Sequence, residues 1–297
     1  MKLSMHNWMR YEPIEITIKR LARFGFDAIE ISGEPARYDA GQVRALLDEN
    51  GIQCWGAVTL MTAGRDLIHE DAYVRYGTVK YMKDCIDLVA SLNGTILTIV
   101  PSTVGKIVPM ASPEEEWRWA VEGLREVALH AGEKGVRAGI EPLNRFETNF
   151  LNRHDQAVLL AHEVGNGLGV ILDAFHINIE EVDPVAAIKN TNELLIGFHV
   201  ADNNRFPPGR GAINWKALIG ALRAIGYDQY LTNEFVMPVD RTPAADRDQE
   251  AEDAAASGAT AGHEKFLRDH GTGTLSEHYY DLLVEQSGKF LRSLLDD

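Results

Sequence analysis

The sequence predicts an α/β fold, a closed (β/α)8 TIM barrel of parallel strands joined by helices. Short apolar segments alternate with amphipathic helical segments about eight times along the 297 residues. Several strand segments are almost continuously apolar, which is typical of parallel strands covered on both faces. No Gly-x-Gly-x-x-Gly turn follows the first strand, which disfavours the open doubly wound sheet, the alternative arrangement of such units. Because such barrels commonly run to about 250 residues as one unit, residues 1–297 are expected to form a single domain.

The predicted strands are short segments dominated by apolar side chains. In chain order they are Leu3–His6, Ala28–Ser32, Cys54–Met61, Thr95–Val100, Ala138–Leu143, Val170–His176, Ile196–Ala201 and Tyr230–Val236.

Start and stop signals mark the helices between these strands. Ser112, Pro113 and Glu115 have the spacing of a capping box with proline in the first helical turn, and Asp183 and Asn214 are further N-cap candidates. Glycines follow several helical segments where a left-handed residue is needed to end the helix. They are Gly25, Gly51, Gly135 and Gly226.

One segment departs from the alternation of strands and helices. An acidic, alanine-rich insertion at about 243–263 follows the eighth strand and precedes a last helix near 276–295. Such a long loop is either a lid or subunit contact, or a solvated insertion.

Composition excludes several classes of protein. The net charge of −15 argues against nucleic-acid and anionic membrane partners. No segment has the length and apolar character of a membrane span or a signal peptide, and we expect a cytoplasmic enzyme. Cys54 and Cys85 lack the spacing of a metal or disulfide motif, so we expect two buried, reduced thiols.

Each of the last four strand segments carries a carboxylate or an imidazole within an apolar run. These residues are Glu141, Asp173, His199 and Glu234. A charged group in a buried strand is costly unless something compensates it, and the carboxyl ends of all barrel strands meet at one face. Three carboxylates and one imidazole favour Mn²⁺, with Mg²⁺ or Co²⁺ as alternatives. The pattern therefore predicts a divalent-metal site, and no organic cofactor site is predicted.

The sequence around these residues resembles one family of enzymes. Glu-Pro-Leu-Asn-Arg-Phe-Glu at 141–147, Leu-Asp-Ala-Phe-His-Ile-Asn-Ile-Glu-Glu at 172–181 and His-Val-Ala-Asp-Asn-Asn-Arg at 199–205 are similar to segments of the D-tagatose and D-allulose (psicose) 3-epimerases. These enzymes belong to the xylose-isomerase-like barrel superfamily. The resemblance implies a sugar epimerase that inverts C3 of a ketose through a metal-stabilised enediolate.

The resemblance also implies roles for individual residues. Glu141, Asp173, His199 and Glu234 match the metal ligands, and Glu141 and Glu234 also match the pair that removes and returns the proton. His176, Arg205 and Glu147 match residues that bind the sugar. His6, at the end of the first strand, is a further substrate-binding candidate, although a core histidine explains it equally well.

The catalytic subunit of C-glycoside deglycosidases is a second family with the same barrel and ligand set. It cleaves 3-oxo-C-glucosides and works with a small β-type subunit, whereas an epimerase is expected to be a homo-oligomer. Val100, which stands where many ketose epimerases have an aromatic residue, favours this lyase and a bulky glycoside; Glu147, His176 and Arg205 favour the epimerase. A sugar-binding protein without activity and a metal-dependent endonuclease are weaker alternatives.

Overall fold

The computed structural model describes residues 1–10, 12–62, 64–236 and 275–296. Within these ranges eight strands pair in parallel and in sequence order, and the last pairs with the first to close the barrel. The predicted fold class is thereby confirmed. The strands are β1 (Lys2–His6), β2 (Ala28–Gly33), β3 (Gln53–Thr59), β4 (Ile96–Ile99), β5 (Arg137–Ile140), β6 (Gly169–Asp173), β7 (Leu195–Val200) and β8 (Tyr230–Asn233).

Helices follow the strands and form the outer layer. They are α1 (Ile14–Arg23), α2 (Ala40–Asn50), α3 (Ala72–Ser91), α4 (Pro113–Glu133), α5 (His154–Val164), α6 (Ala174–Glu180), α7 (Pro184–Thr191), α8 (Trp215–Ala224) and α9 (Glu277–Asp296). None of the helices in the described ranges is both long and apolar enough to cross a bilayer. The insertion predicted at about 243–263 lies outside the described residues.

The predicted helix signals are present in the structure. The Ser112 hydroxyl accepts the backbone N–H of Glu115, whose carboxylate accepts the backbone N–H of Ser112 in return. Asp183 and Asn214 cap α7 and α8. The four glycines predicted to end helices all have φ between +66° and +73°, a conformation that costs glycine little because it has no Cβ.

Several predicted strands extend too far at their carboxyl ends. The prediction Val170–His176 is wrong in its last three residues, because the strand ends at Asp173 and residues 174–176 begin α6. Oδ1 of Asp173 accepts the N–H of Phe175 and caps that helix. Likewise β3, β5 and β8 end two or three residues before the apolar runs do. The apolar runs therefore continue beyond the last paired residue of each strand. Because β5 and β8 end early, Glu141 and Glu234 lie in the loops immediately after them.

The lower half of the barrel interior is apolar and tightly filled. Ile171 and Ile196 occupy the space beside glycines on β5, β6 and β7; a Cβ on Gly169 would lie 2.7 Å from Ile196 side-chain atoms. The buried residues of this layer form their own cluster with Ile96 and Tyr230. The buried carboxylates and imidazoles of the barrel interior, among them Glu30, His6 and His199, lie outside this cluster.

Candidate metal centre and active site

The four predicted metal ligands lie together at the carboxyl-terminal face of the barrel. Asp173 is the last residue of β6 and pairs in register with His199 on β7. Glu141 and Glu234 are each held to the neighbouring strand by their backbone N–H, bonded to the carbonyls of Ile99 and Val200. All four are buried, with at most 5% of their surface exposed.

His199 joins the two glutamates. Its Nδ1 lies 2.9 Å from Oε1 of Glu141 and 3.0 Å from Oε2 of Glu234. Burial alone would lower the pKa of His199, but Glu141, Glu30 and Glu234 raise it well above its usual value. One imidazole nitrogen is therefore the meeting point of carboxylates from the ends of two different strands.

The two glutamates differ in their affinity for a proton. Burial raises the pKa of Glu141 to about 6 against the opposing effect of His199. Burial acts in the same direction on Glu234, but His199 and Arg205 outweigh it and lower the pKa of Glu234 below its usual range. Two carboxyl groups with different proton affinities at one site are suited to acid and base roles.

Arg205 lies between two of the predicted ligands. Its Nη1 donates to Oδ2 of Asp173 at 2.5 Å, and its Nη2 lies 3.9 Å from Oε1 of Glu234. The guanidinium stacks over the ring of Phe175 at 4.4 Å. The backbone of Arg205 has φ +62°, which is unusual outside glycine and is often retained at functional sites. A fixed positive charge therefore stands beside the carboxylates.

His176 and Glu147 are linked through Asn144. The Asn144 side-chain amide donates to Nδ1 of His176 at 2.9 Å and to Oε1 of Glu147 at 2.8 Å. The backbone N–H of Asn144 also points to Nδ1, at 3.2 Å. Because Nδ1 accepts, the ring proton of neutral His176 is on Nε2, which lies 3.7 Å from Oδ2 of Asp173. The structure thus brings both predicted substrate-binding residues to the site, and Asn144, which the motif contains but the prediction did not single out, connects them.

His6 also belongs to this site. Its ring meets that of His199 edge to face at 4.7 Å, and its Nε2 lies 3.9 Å from Oε2 of Glu234. Burial lowers the pKa of His6 and favours the neutral ring. Neither ring nitrogen has a hydrogen-bond partner in the described part of the chain. A buried polar atom without a partner costs about 1–3 kcal/mol, so a ligand at this position would relieve that cost.

The donor atoms fit a divalent cation. Two sets of three have ligand atoms within 4.8 Å of one another: His6, His199 and Glu234, and Glu141, Asp173 and His176. Oε2 of Glu234 has no hydrogen bond, because the hydrogen-bonded partner of His199 Nδ1 is Glu141. Buried oxygen and imidazole donors of this kind are those that Mn²⁺ and related ions take. Two of the four predicted ligands belong to each of these sets. That all four bind one cation stays a prediction.

One buried carboxylate at this site was missed by the sequence analysis. Glu30, in the middle of β2, is fully buried, and its Oε2 lies 3.4 Å from Nε2 of His199. The signal that could have found it is the one used for the last four strands, a carboxylate within an apolar strand segment.

The chain is a closed (β/α)8 barrel with buried carboxylates and histidines gathered at the carboxyl ends of its strands. The family model described as "Xylose isomerase-like TIM barrel" matches residues 18–259, and the chain belongs to this family. The resemblance predicted from the motifs is thereby confirmed.

Named relatives and solved structures agree with this assignment. A D-psicose 3-epimerase of Agrobacterium fabrum is 32% identical over 239 residues, which cover 75% of this chain and 78% of that protein. A 3-dehydro-D-guloside 4-epimerase of Escherichia coli is 28% identical over 248 residues, covering 79% and 92%. The crystal structure of D-psicose 3-epimerase with D-tagatose from Clostridium cellulolyticum superposes with a TM-score of 0.83 at 25% identity, covering 99% of each chain.

Proposed function

We propose that this protein is a metal-dependent sugar epimerase that inverts C3 of a free ketose. The observation that carries the proposal is the meeting of Glu141 and Glu234 at one nitrogen of His199, within 2.9 and 3.0 Å. Inverting a carbon next to a ketone requires one group to remove its proton and a second group to return a proton on the other face. The ketose 3-epimerases among the relatives support this reaction.

Glu141, Asp173, His199 and Glu234 would hold the cation, for which Mn²⁺ is the first candidate and Mg²⁺ or Co²⁺ the alternatives. A divalent cation held there would polarise the ketone and hydroxyl oxygens of the sugar as a Lewis acid.

The chain's own carboxylates would move the proton. Glu141 follows β5 and Glu234 follows β8, with β6 and β7 between them in the barrel, so a sugar carbon between the two carboxylates would be reached from two directions. Arg205, which is already held against Asp173, would stabilise the negative charge that develops on the sugar oxygen.

The remaining residues would hold the sugar hydroxyls. The Nε2–H of His176 and the carboxylate of Glu147, both fixed by Asn144, would act as donor and acceptor. The unsatisfied ring nitrogens of His6 would contact the sugar on the Glu234 side. Each of these residues would position the substrate rather than take part in proton transfer.

A second candidate substrate is a 3-keto-glycoside inverted at C4. The relative described as a 3-dehydro-D-guloside 4-epimerase is matched over 92% of its length. Since C4 of a 3-keto sugar also lies next to the ketone, the same pair of carboxylates would perform the same proton transfer.

The test offers the metal-depleted protein, reloaded with Mn²⁺, three substrates: D-allulose, D-tagatose and a 3-keto-glucoside that carries a C-linked aglycone. Epimerisation in D₂O should place one deuterium on the inverted carbon. Glu141→Gln and Glu234→Gln should each lose about 10²–10⁴-fold in kcat, while Glu122→Gln, on the exposed face of α4, should leave kcat unchanged.

Several outcomes would contradict the proposal. Full activity in both glutamine variants at the site would refute the assigned roles. Inversion without deuterium would refute the proton-transfer mechanism. Release of the aglycone with no inversion of either ketose would identify a deglycosidase instead.

A further inference from the structure

We propose that Glu30 is a positioning residue that orients His199 towards the metal centre. Its carboxylate holds the Nε2 side of the ring, so that Nδ1 faces Glu141 and Glu234. The inference rests on the proposed function, because it assigns Glu30 a role at that same cation site.

Glu30 is fixed deep inside the barrel. It lies on β2, in register with His6 on β1, and is fully buried. Its Oε1 accepts a hydrogen bond of 2.6 Å from Oγ1 of Thr98 on β4. That bond leaves Oε2 facing His199 Nε2 at 3.4 Å, and Oε2 has no hydrogen-bond partner among the residues that the structure covers.

The orientation of His199 follows from contacts at both of its ring nitrogens. Nδ1 contacts two carboxylates at the barrel mouth, and Nε2 faces Glu30 below. Rotating the ring by half a turn would place carbon atoms against all three carboxylates and remove each polar contact. A cation bound to Nδ1 would leave the contact between Nε2 and Glu30 in place. A carboxylate behind a metal-binding imidazole fixes its orientation, and losing it typically weakens metal binding about 10–100-fold.

A role beside His199 also explains why the buried carboxylate of Glu30 is tolerated in a barrel strand. The structure places no lysine or arginine within ion-pairing distance of it among the described residues. A purely structural role would leave a carboxylate in the core supported only by the Thr98 hydroxyl and the nearby rings of His6 and His199, which is costly. A role in holding His199 accounts for both the burial and the orientation of the carboxylate.

The experiment measures Mn²⁺ binding to the full-length, metal-depleted protein by the electron paramagnetic resonance signal of free Mn²⁺. Glu30→Ala should weaken binding about 10–100-fold. Glu30→Gln keeps an oxygen that can accept from Nε2 and should restore most of the affinity. Thr59→Val is the matched control, since Thr59 is another buried barrel threonine, whose Oγ1 bonds to Val100 N and not to the site; it should lower the urea midpoint without changing Mn²⁺ affinity.

A second variant tests the proposal even if Glu30→Ala fails to fold. Thr98→Val removes the hydrogen bond that aims the Glu30 carboxylate, and it should give a smaller but measurable loss of affinity. If Glu30→Ala folds and binds Mn²⁺ with wild-type affinity, the positioning role is overturned. If Glu30→Ala does not fold, wild-type Mn²⁺ affinity in Thr98→Val overturns it. Absence of Mn²⁺ binding to the wild-type protein would instead overturn the metal dependence of the proposed function, and the role of Glu30 with it.

Discussion

Asp202 organises the loop that carries Arg205, and replacing it tests how the site is supported. The carboxylate is completely buried just after β7. It accepts four hydrogen bonds of 2.9–3.1 Å, two on each oxygen. The donors are the backbone N–H groups of Asn203, Gly209 and Ile213 and the indole Nε1 of Trp215. We expect Asp202→Ala to loosen this loop and displace Arg205 from Asp173.

The size of the effect follows from which donors can find water instead. Asn203 and Gly209 are exposed, so their N–H groups can bond to solvent. Trp215 is only 4% exposed and Ile213 is half-buried, so their donors lose their partner. Each hydrogen bond to a charged acceptor contributes about 1.5–3 kcal/mol, which gives about 3–6 kcal/mol for Asp202→Ala. That loss is a large fraction of the roughly 5–15 kcal/mol that stabilises a typical protein.

The assay is urea unfolding followed by circular dichroism, together with KM for the sugar. Asn203→Ala is the control in the same loop: its side-chain oxygen accepts one bond, from Ala212 N, and its loss should cost about 1 kcal/mol. Asp202→Asn keeps one acceptor oxygen and should fall between the two. The reasoning would be refuted if Asp202→Ala were as stable as Asn203→Ala and bound sugar with the wild-type KM.

Three further predictions concern acid stability, the thiols and the barrel packing. Burial raises the pKa of Glu180, but hydrogen bonds from Arg145 outweigh burial and lower that pKa. This pair therefore stabilises the fold above the unfolded pKa of about 4.3, and the stabilisation is lost as the pH falls through the lower folded pKa. In urea titrations Glu180→Gln should therefore be less stable at pH 7, by a margin that shrinks below about pH 4. Burial raises the pKa of Cys54 to about 12 and also raises that of Cys85, so neither thiol should react with DTNB until urea unfolds the protein. A Cβ on Gly56 would lie 2.1 Å from a backbone carbonyl oxygen of β4, so Gly56→Ala should lower stability by about 3 kcal/mol, measured by thermal unfolding.

Each of these has a result that would contradict it. A stability difference for Glu180→Gln that stays constant with pH would mean that the carboxylate charge contributes nothing. Rapid labelling of either thiol in the folded protein would show that the thiols are accessible. An unchanged melting temperature for Gly56→Ala would mean that β3 and β4 can separate without cost.

The sequence by itself determined the fold class and the chemical kinds of residue at the site. Apolar runs alternating with capped helices specified the barrel, because each signal depends on residues near one another in the chain. The same local pattern, a polar donor at the end of a buried strand, identified Glu141, Asp173, His199 and Glu234. It also overextended several strands, because hydropathy does not mark where strand pairing ends.

Only the tertiary structure decided which of these groups touch. The contact of Arg205 with Asp173, the link from Asn144 to His176 and the position of Glu30 behind His199 join residues about 30 to 170 positions apart. Their distances depend on how the strands tilt and stagger when the barrel closes, and no local pattern in the chain reports that geometry. The different proton affinities of the two site glutamates have the same origin, since burial and neighbouring charges exist only once the barrel has formed.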